Sequence, residues 1–172
     1  MGKIVLLGYM CSGKSSVGRA LAQQLDCTFI DLDDAIVEDT GLTIPELFAQ
    51  KGELFFRKKE TAVLQAILQQ SENLVLALGG GTPCYGNNMD LVNDGDTQSV
   101  YLQFPVGTLA ARIANEKAKR PLVARIPEEQ LPEFVGKHLF ERAAFYQKAK
   151  HTLDADGQSV DELVLNLVSL LT

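Results

Sequence analysis

The amino-acid sequence predicts a three-layer α/β domain, with helices covering a parallel β-sheet. Three observations predict it. Short apolar runs alternate with segments of helical period along all 172 residues. Each run is separated from the next by at least one helical stretch, which forces crossover connections and hence parallel pairing. A glycine-rich turn of the kind that joins a strand to a helix N-terminus lies near the start, at 8–15. The candidate strands are 3–7, 28–31, 74–78, 99–104 and 151–154.

The first strand delivers the strongest motif. Gly8-Tyr9-Met10-Cys11-Ser12-Gly13-Lys14-Ser15 matches GxxxxGK[ST], and an amphipathic stretch follows over 16–25. Such a loop presents free amide hydrogens and the positive end of a helix dipole to phosphate oxygens. Gly8 and Gly13 let the backbone approach closely, Lys14 places an ammonium against the β and γ oxygens, and Ser15 offers a hydroxyl to Mg²⁺. Cys11, Ser12, Gly13, Lys14, Ser15 and Ser16 form the expected nucleotide-contact set. The helix dipole is expected to lower the pKa of Cys11 if its thiol faces that end, although the residue reads as a passive small side chain.

Ligands of such sheets bind beyond the carboxyl ends of the strands. The second strand ends in Asp31-Leu32-Asp33-Asp34. If the chain is still extended there, Asp31 and Asp33 point one way and Leu32 points into the core. One carboxylate then holds Mg²⁺ through its water shell, and the other accepts the proton of a substrate hydroxyl. Asp34 sits on solvent or caps the next helix. Thr43 with Glu46, and Pro45 in the first turn, make a capping box for a helix that follows.

Arg57 follows Phe55-Phe56 and precedes Glu60 by one helical step, so Glu60 can orient a guanidinium suited to bidentate capture of a carboxylate. After the third strand come Gly79, Gly80 and Gly81, which let a ligand lie against bare peptide groups. The run 74–78 has no acid after it, so Asp31 takes the place of the metal-holding carboxylate usual on that strand. The segment 115–132 carries Lys117, Lys119, Arg120 and Arg125 with three prolines and no clean period, as a basic mobile lid would. Arg142 sits in Glu141-Arg142-Ala143-Ala144-Phe145-Tyr146, a helix whose aromatic pair is expected on the core. Ser159 with Glu162 caps a last helix, whose Val160, Leu163, Val164, Leu167 and Leu171 are expected to pack on the sheet.

Composition narrows the partners. A net charge of −6 argues against a broad nucleic-acid or anionic-membrane surface and for a small anionic metabolite. Cys11, Cys27 and Cys84 form no CxxC pair, and no apolar run approaches 18 residues. A cytoplasmic monomer is expected. A P-loop switch would need an NKxD element, which is missing, and Asp154-Ala155-Asp156-Gly157 matches DxxG too late in the chain to follow a γ-phosphate.

Together the P-loop, Asp31-Leu32-Asp33, Phe55-Phe56-Arg57-Lys58-Lys59-Glu60, the glycine triplet, Arg120-Pro121-Leu122 and Arg142 ahead of Phe145-Tyr146 resemble shikimate kinase over essentially the whole chain. The resemblance implies a P-loop nucleoside-monophosphate-kinase-like fold with a five-stranded sheet in the order 2-3-1-4-5. It implies transfer of the ATP γ-phosphate to the 3-hydroxyl of shikimate, on the route to chorismate. It also implies one domain over 1–172, a lid at 115–132 and an acid-binding helical segment at 33–60. Asp33, Arg57, Gly79, Gly80, Gly81 and Arg142 would hold shikimate, with Asp33, Lys14 and Arg120 catalytic. Ser15 and Asp31 would attend Mg²⁺. Arg112 resembles an adenine-stacking arginine, although its spacing to Arg120 is one residue longer than the family pattern, and Gln158 resembles a nucleotide contact. A gluconate-type kinase fits the same polyhydroxy-acid chemistry but is not expected to combine the Asp31/Asp33 pair with this lid.

Overall fold

The computed structural model describes residues 2–70 and 73–171. Five parallel strands, β1 (Ile4–Leu7), β2 (Thr28–Asp31), β3 (Leu74–Ala77), β4 (Gln98–Gln103) and β5 (His151–Asp154), lie in the order β2-β3-β1-β4-β5. β1 is central, and all four of its residues are buried. This explains its uninterrupted apolar run, since a parallel strand covered on both faces has no polar side. Among the described residues, eight α-helices surround the sheet: α1 (Lys14–Gln24), α2 (Leu32–Thr40), α3 (Ile44–Lys51), α4 (Glu53–Leu68), α5 (Asn88–Asn93), α6 (Val106–Glu116), α7 (Leu131–Tyr146) and α8 (Val160–Leu171).

Strand register sets up the site. Leu6 and Asp31 both pair with Ala77, so β1, β3 and β2 share one row at their carboxyl ends. Gly8, Gly79 and Asp33 each lie two residues beyond that row. α1 is drawn down beside them: a Cβ on Gly18 would stand 2.5 Å from the Phe29 ring, so only glycine lets the helix lie this close to β2.

Both capping boxes form. Thr43 N donates to Glu46 Oε2 at 2.8 Å and Glu46 N donates back to Thr43 Oγ1 at 3.4 Å, with Pro45 in the first turn. Ser159 and Glu162 repeat the exchange at 2.7 and 3.3 Å. Along α8, Leu163, Val164 and Leu167 are buried, but Val160 lies at an exposed edge.

Other local expectations shift. β1 begins at Ile4, β3 ends at Ala77, β4 runs over 98–103, and α1 starts at Lys14 because Gly13, at φ 82°, is its N-cap. The chain does not stay extended through Asp33. Asp31 is the N-cap of α2 and its Oδ1 accepts from Asp33 N at 3.0 Å, so the aspartate ends the strand by satisfying the helix's free amide. Leu32 is nevertheless fully buried, and Asp34 is an exposed residue of the first turn rather than the cap. Between α6 and α7 the chain makes short 3₁₀ turns at 117–119 and 128–130, anchored by the buried Val123 while Leu122 stands exposed. Among the described residues no helix is long and apolar enough to cross a membrane.

Candidate active site

The P-loop folds around its own lysine. Lys14 Nζ donates to Gly8 O and Tyr9 O, both at 2.9 Å, and to Ser12 Oγ at 3.3 Å. Burial lowers its pKa to about 8, against the opposing pull of Asp33 and Asp31. Ser12 is itself buried, and its hydroxyl serves the lysine. Of the two readings of Cys11, the activated thiol is the one that fails. Burial pushes its thiol up rather than the helix dipole pulling it down, and Sγ lies 3.6 Å from Glu116 Oε2.

Two acids stand at the mouth of the loop. Ser15 Oγ donates to Asp31 Oδ2 at 2.5 Å, while Asp31's other oxygen caps α2. Asp33 is pushed up to about 6, first by burial and then by the charges of Asp31 and Glu60, with Lys14 pulling the other way. A carboxyl tuned toward neutrality is suited to receive a proton from a hydroxyl.

The glycine triplet is the meeting point of the predicted ligands. A Cβ on Gly79 would lie 3.1 Å from Asp33 Oδ1, one on Gly80 would lie 3.6 Å from Arg142 Nη1, and one on Gly81 would lie 2.9 Å from Arg57 Nη2. Three consecutive bare peptide units therefore admit one acid and two guanidiniums to the same spot. A side chain on Gly81 would have to displace Arg57.

Arg57 is held from several sides. Nη1 donates to Glu60 Oε1 at 2.9 Å, and the guanidinium lies over the rings of Tyr85 at 3.8 Å and Phe56 at 5.0 Å. Glu60 is 1% exposed, and its second oxygen accepts from Thr82 Oγ1 at 2.7 Å. Asn88, fully buried, donates to Thr82 O at 2.9 Å and accepts from Thr61 Oγ1 at 2.8 Å. This is no surface ion pair. Arg57 Nε is buried without a hydrogen-bond partner among the described residues, with Glu53 Oε1 3.8 Å away as a second counter-ion.

A cavity of about 310 Å³ is lined by Cys11, Gly13, Lys14, Ser15, Ser16, Asp31, Asp33, Gly79, Gly80 and Arg120, whereas Gly81, Arg57 and Arg142 are not among its lining residues. Met10, Leu78 and Glu116 also line it, and sequence reasoning marks none of the three. Only Glu116 had a readable signal, as the residue one helical step before Arg120, whose Nη2 donates to it at 3.0 Å. Arg112 lies beside the loop, over the Phe104 ring at 4.2 Å and donating to Cys11 O at 3.2 Å. Gln158 is not among the lining residues; its amide donates to Asp154 O and accepts from Asn166, each at 2.6 Å. Beyond Arg142, Tyr146 is fully buried but Phe145 is only half-buried, so the aromatic pair is split between core and surface.

A family model for shikimate kinase matches residues 10–172. The shikimate kinase of Flavobacterium johnsoniae is 44% identical over 171 residues, 99% of each chain. Among solved structures, the shikimate kinase of Bacteroides thetaiotaomicron superposes with a TM-score of 0.91 at 34% identity, covering 99% of this chain and 98% of that one. That of Acinetobacter baumannii, solved in complex with shikimate, gives 0.88 at 32% identity, covering 99% and 93%. By the family model and these relatives, the chain belongs to the shikimate kinase family.

Proposed function

We propose that the residues converging on the glycine triplet divide among themselves the work of a shikimate kinase. The reaction moves the γ-phosphoryl group of ATP to the 3-hydroxyl of shikimate, giving shikimate 3-phosphate and ADP. Arg57 and Arg142 hold the shikimate carboxylate through charge-assisted hydrogen bonds, and the peptide groups of Gly79, Gly80 and Gly81 form the floor beneath the ring. Asp33 accepts from the 3-hydroxyl and takes its proton as the new P–O bond forms and the bond to ADP breaks. Lys14, the P-loop amides and Arg120 balance the charge that gathers on the transferred group.

Residues 115–132 act as a mobile lid that carries Arg120 and excludes water, and 33–60 act as the acid-binding arm. Arg112 faces the adenine, and Gln158 serves the nucleotide once its bond to Asn166 is given up. Ser15 and Asp31 offer hard oxygen donors 2.5 Å apart at the edge of the cavity, a set that fits Mg²⁺ with water completing its shell. Bound there, Mg²⁺ would neutralise phosphate charge. Every group of the site comes from one chain, so a monomer suffices.

The observation that carries this assignment is the placement of Asp33, Arg142 and Arg57 against three successive glycines. It is tested by following ADP release with ATP, Mg²⁺ and either shikimate or gluconate. Turnover with shikimate that is abolished in Asp33→Ala and weakened in shikimate KM by Arg57→Ala supports the division of labour. Turnover with gluconate alone would overturn it.

A further inference from the structure

α7 carries His138, Arg142 and Tyr146 at intervals of four, which stacks them along one face of the helix. The outer two are tied to different walls of the cavity. Tyr146 is fully buried and donates to Gly80 O at 2.6 Å, which pins α7 to the glycine triplet. His138 Nδ1 shares a 2.8 Å hydrogen bond with the hydroxyl of Tyr9, a P-loop residue that is 1% exposed. Arg142 sits between these two ties. On the other side of the bond, the carbonyl of Tyr9 accepts from Lys14 Nζ at 2.9 Å. An unbroken path therefore runs from the nucleotide lysine through Tyr9 and His138 to the helix that bears the acid anchor.

Tyr9 occupies a variable position of the GxxxxGK[ST] motif, so phosphate binding does not call for a tyrosine there. A phenylalanine would fill the same space and leave no polar atom to satisfy. Burial pushes the Tyr9 hydroxyl up to about 12, while burial and the Arg142 charge hold His138 below its ordinary value. Near neutral pH both groups are uncharged. The rings also meet edge to face at 5.4 Å, with Phe134 on the imidazole from its own helix at 5.4 Å.

We propose that the Tyr9–His138 hydrogen bond is a strut that sets the position of Arg142 relative to the P-loop, making His138 a positioning residue for acid capture. The inference rests on the reading of Arg142 as a shikimate anchor. The strut fixes the guanidinium before substrate arrives, so its loss appears as weaker acid binding rather than slower chemistry.

The test is steady-state kinetics on the full chain, with thermal unfolding measured alongside, for Tyr9→Phe, His138→Leu, His138→Asn, the Tyr9→Phe/His138→Leu double variant and Arg142→Ala. Removing one buried neutral hydrogen bond is expected to raise the shikimate KM roughly three- to tenfold in Tyr9→Phe and in His138→Leu, with kcat changing less than KM. The double variant is expected to be no worse than either single one, because the two changes break the same bond. His138→Asn, whose amide reaches the place of Nδ1, is expected to restore the shikimate KM. An unchanged KM in Tyr9→Phe, effects that multiply in the double variant, or a loss confined to kcat or to melting temperature would each overturn the proposal. If Arg142→Ala raises the shikimate KM while the strut variants do not, only this inference falls. If Arg142→Ala leaves that KM unchanged, the anchor assignment falls with it.

Discussion

Arg57 and Arg120 are two cations proposed to serve one site, yet their surroundings differ. Arg57 has 17% of its side chain exposed and faces Glu60, which has 1%. Arg120 has 35% exposed and faces Glu116, which has 50%. The first pair is desolvated and continues into Thr82, Asn88 and Thr61, so folding has already met the cost of ordering the proposed acid anchor. The second pair is open to water, where such bridges contribute only about 0–1 kcal/mol. A carboxylate held that loosely is readily exchanged for a phosphate. On the proposed division of labour, the acid-binding end is thus prebuilt, and the end toward the proposed lid is left to be completed by its ligand.

The comparison can be broken most forcefully at Asp33, which lies between the two ends. Asp33→Ala is expected to lower kcat by roughly 10²- to 10⁴-fold while ATP still binds, as read by a coupled ADP assay and nucleotide titration. Glu60→Gln would leave the Arg57 charge with only the exposed Glu53, 3.8 Å from its Nε, as counter-ion. It is expected to destabilise the fold by about 3 kcal/mol and to weaken shikimate binding, which calorimetry and shikimate titration would show. Arg57→Ala removes a charge-assisted contact and is expected to raise the shikimate KM about 10- to 100-fold, with a smaller effect on kcat.

A fourth test uses pH. Because Asp33 must be ionised to accept a proton, kcat/KM is expected to rise with pH through about 6. The stability effect has the opposite sense. The folded state binds the Asp33 proton more tightly than the unfolded chain, so stability falls as pH rises from the ordinary aspartate value of 3.8 through about 6. Asp33→Asn is therefore expected to gain melting temperature over the parent at pH 8 and little at pH 4. The smallest effect belongs to the exposed pair. Glu116→Gln is expected to lower the ATP KM by at most about fivefold, and that gain should shrink as salt screens the lost charge. A loss of ATP affinity in this variant would mean that Glu116 positions Arg120 instead of competing for it.

Much of this site could be read from short stretches of chain. The P-loop, the capping boxes at Thr43 and Ser159, and the Arg57–Glu60 pair each depend on residues within a turn or two of one another, and all stand where their spacing puts them. Asp31 shows where this reading fails. Its side chain had two local uses, alternation along a strand or capping a helix, and the free amide of Asp33 decided for the cap. Both carboxylates still reach the cavity, because the turn into α2 keeps Asp33 beside β3.

What the sequence determined by itself was the alternation of strands and helices and the chemistry at the strand ends, since periodicity and turn preferences are local. Only the tertiary structure decided which distant groups meet and how dry they are. Thr82 reaches Glu60 across 22 residues, and Tyr9 reaches His138 across 129. The upward shifts of Asp33 and Cys11 come first from burial. Desolvation depends on every element packed around a group, and spacing along one chain does not carry that information.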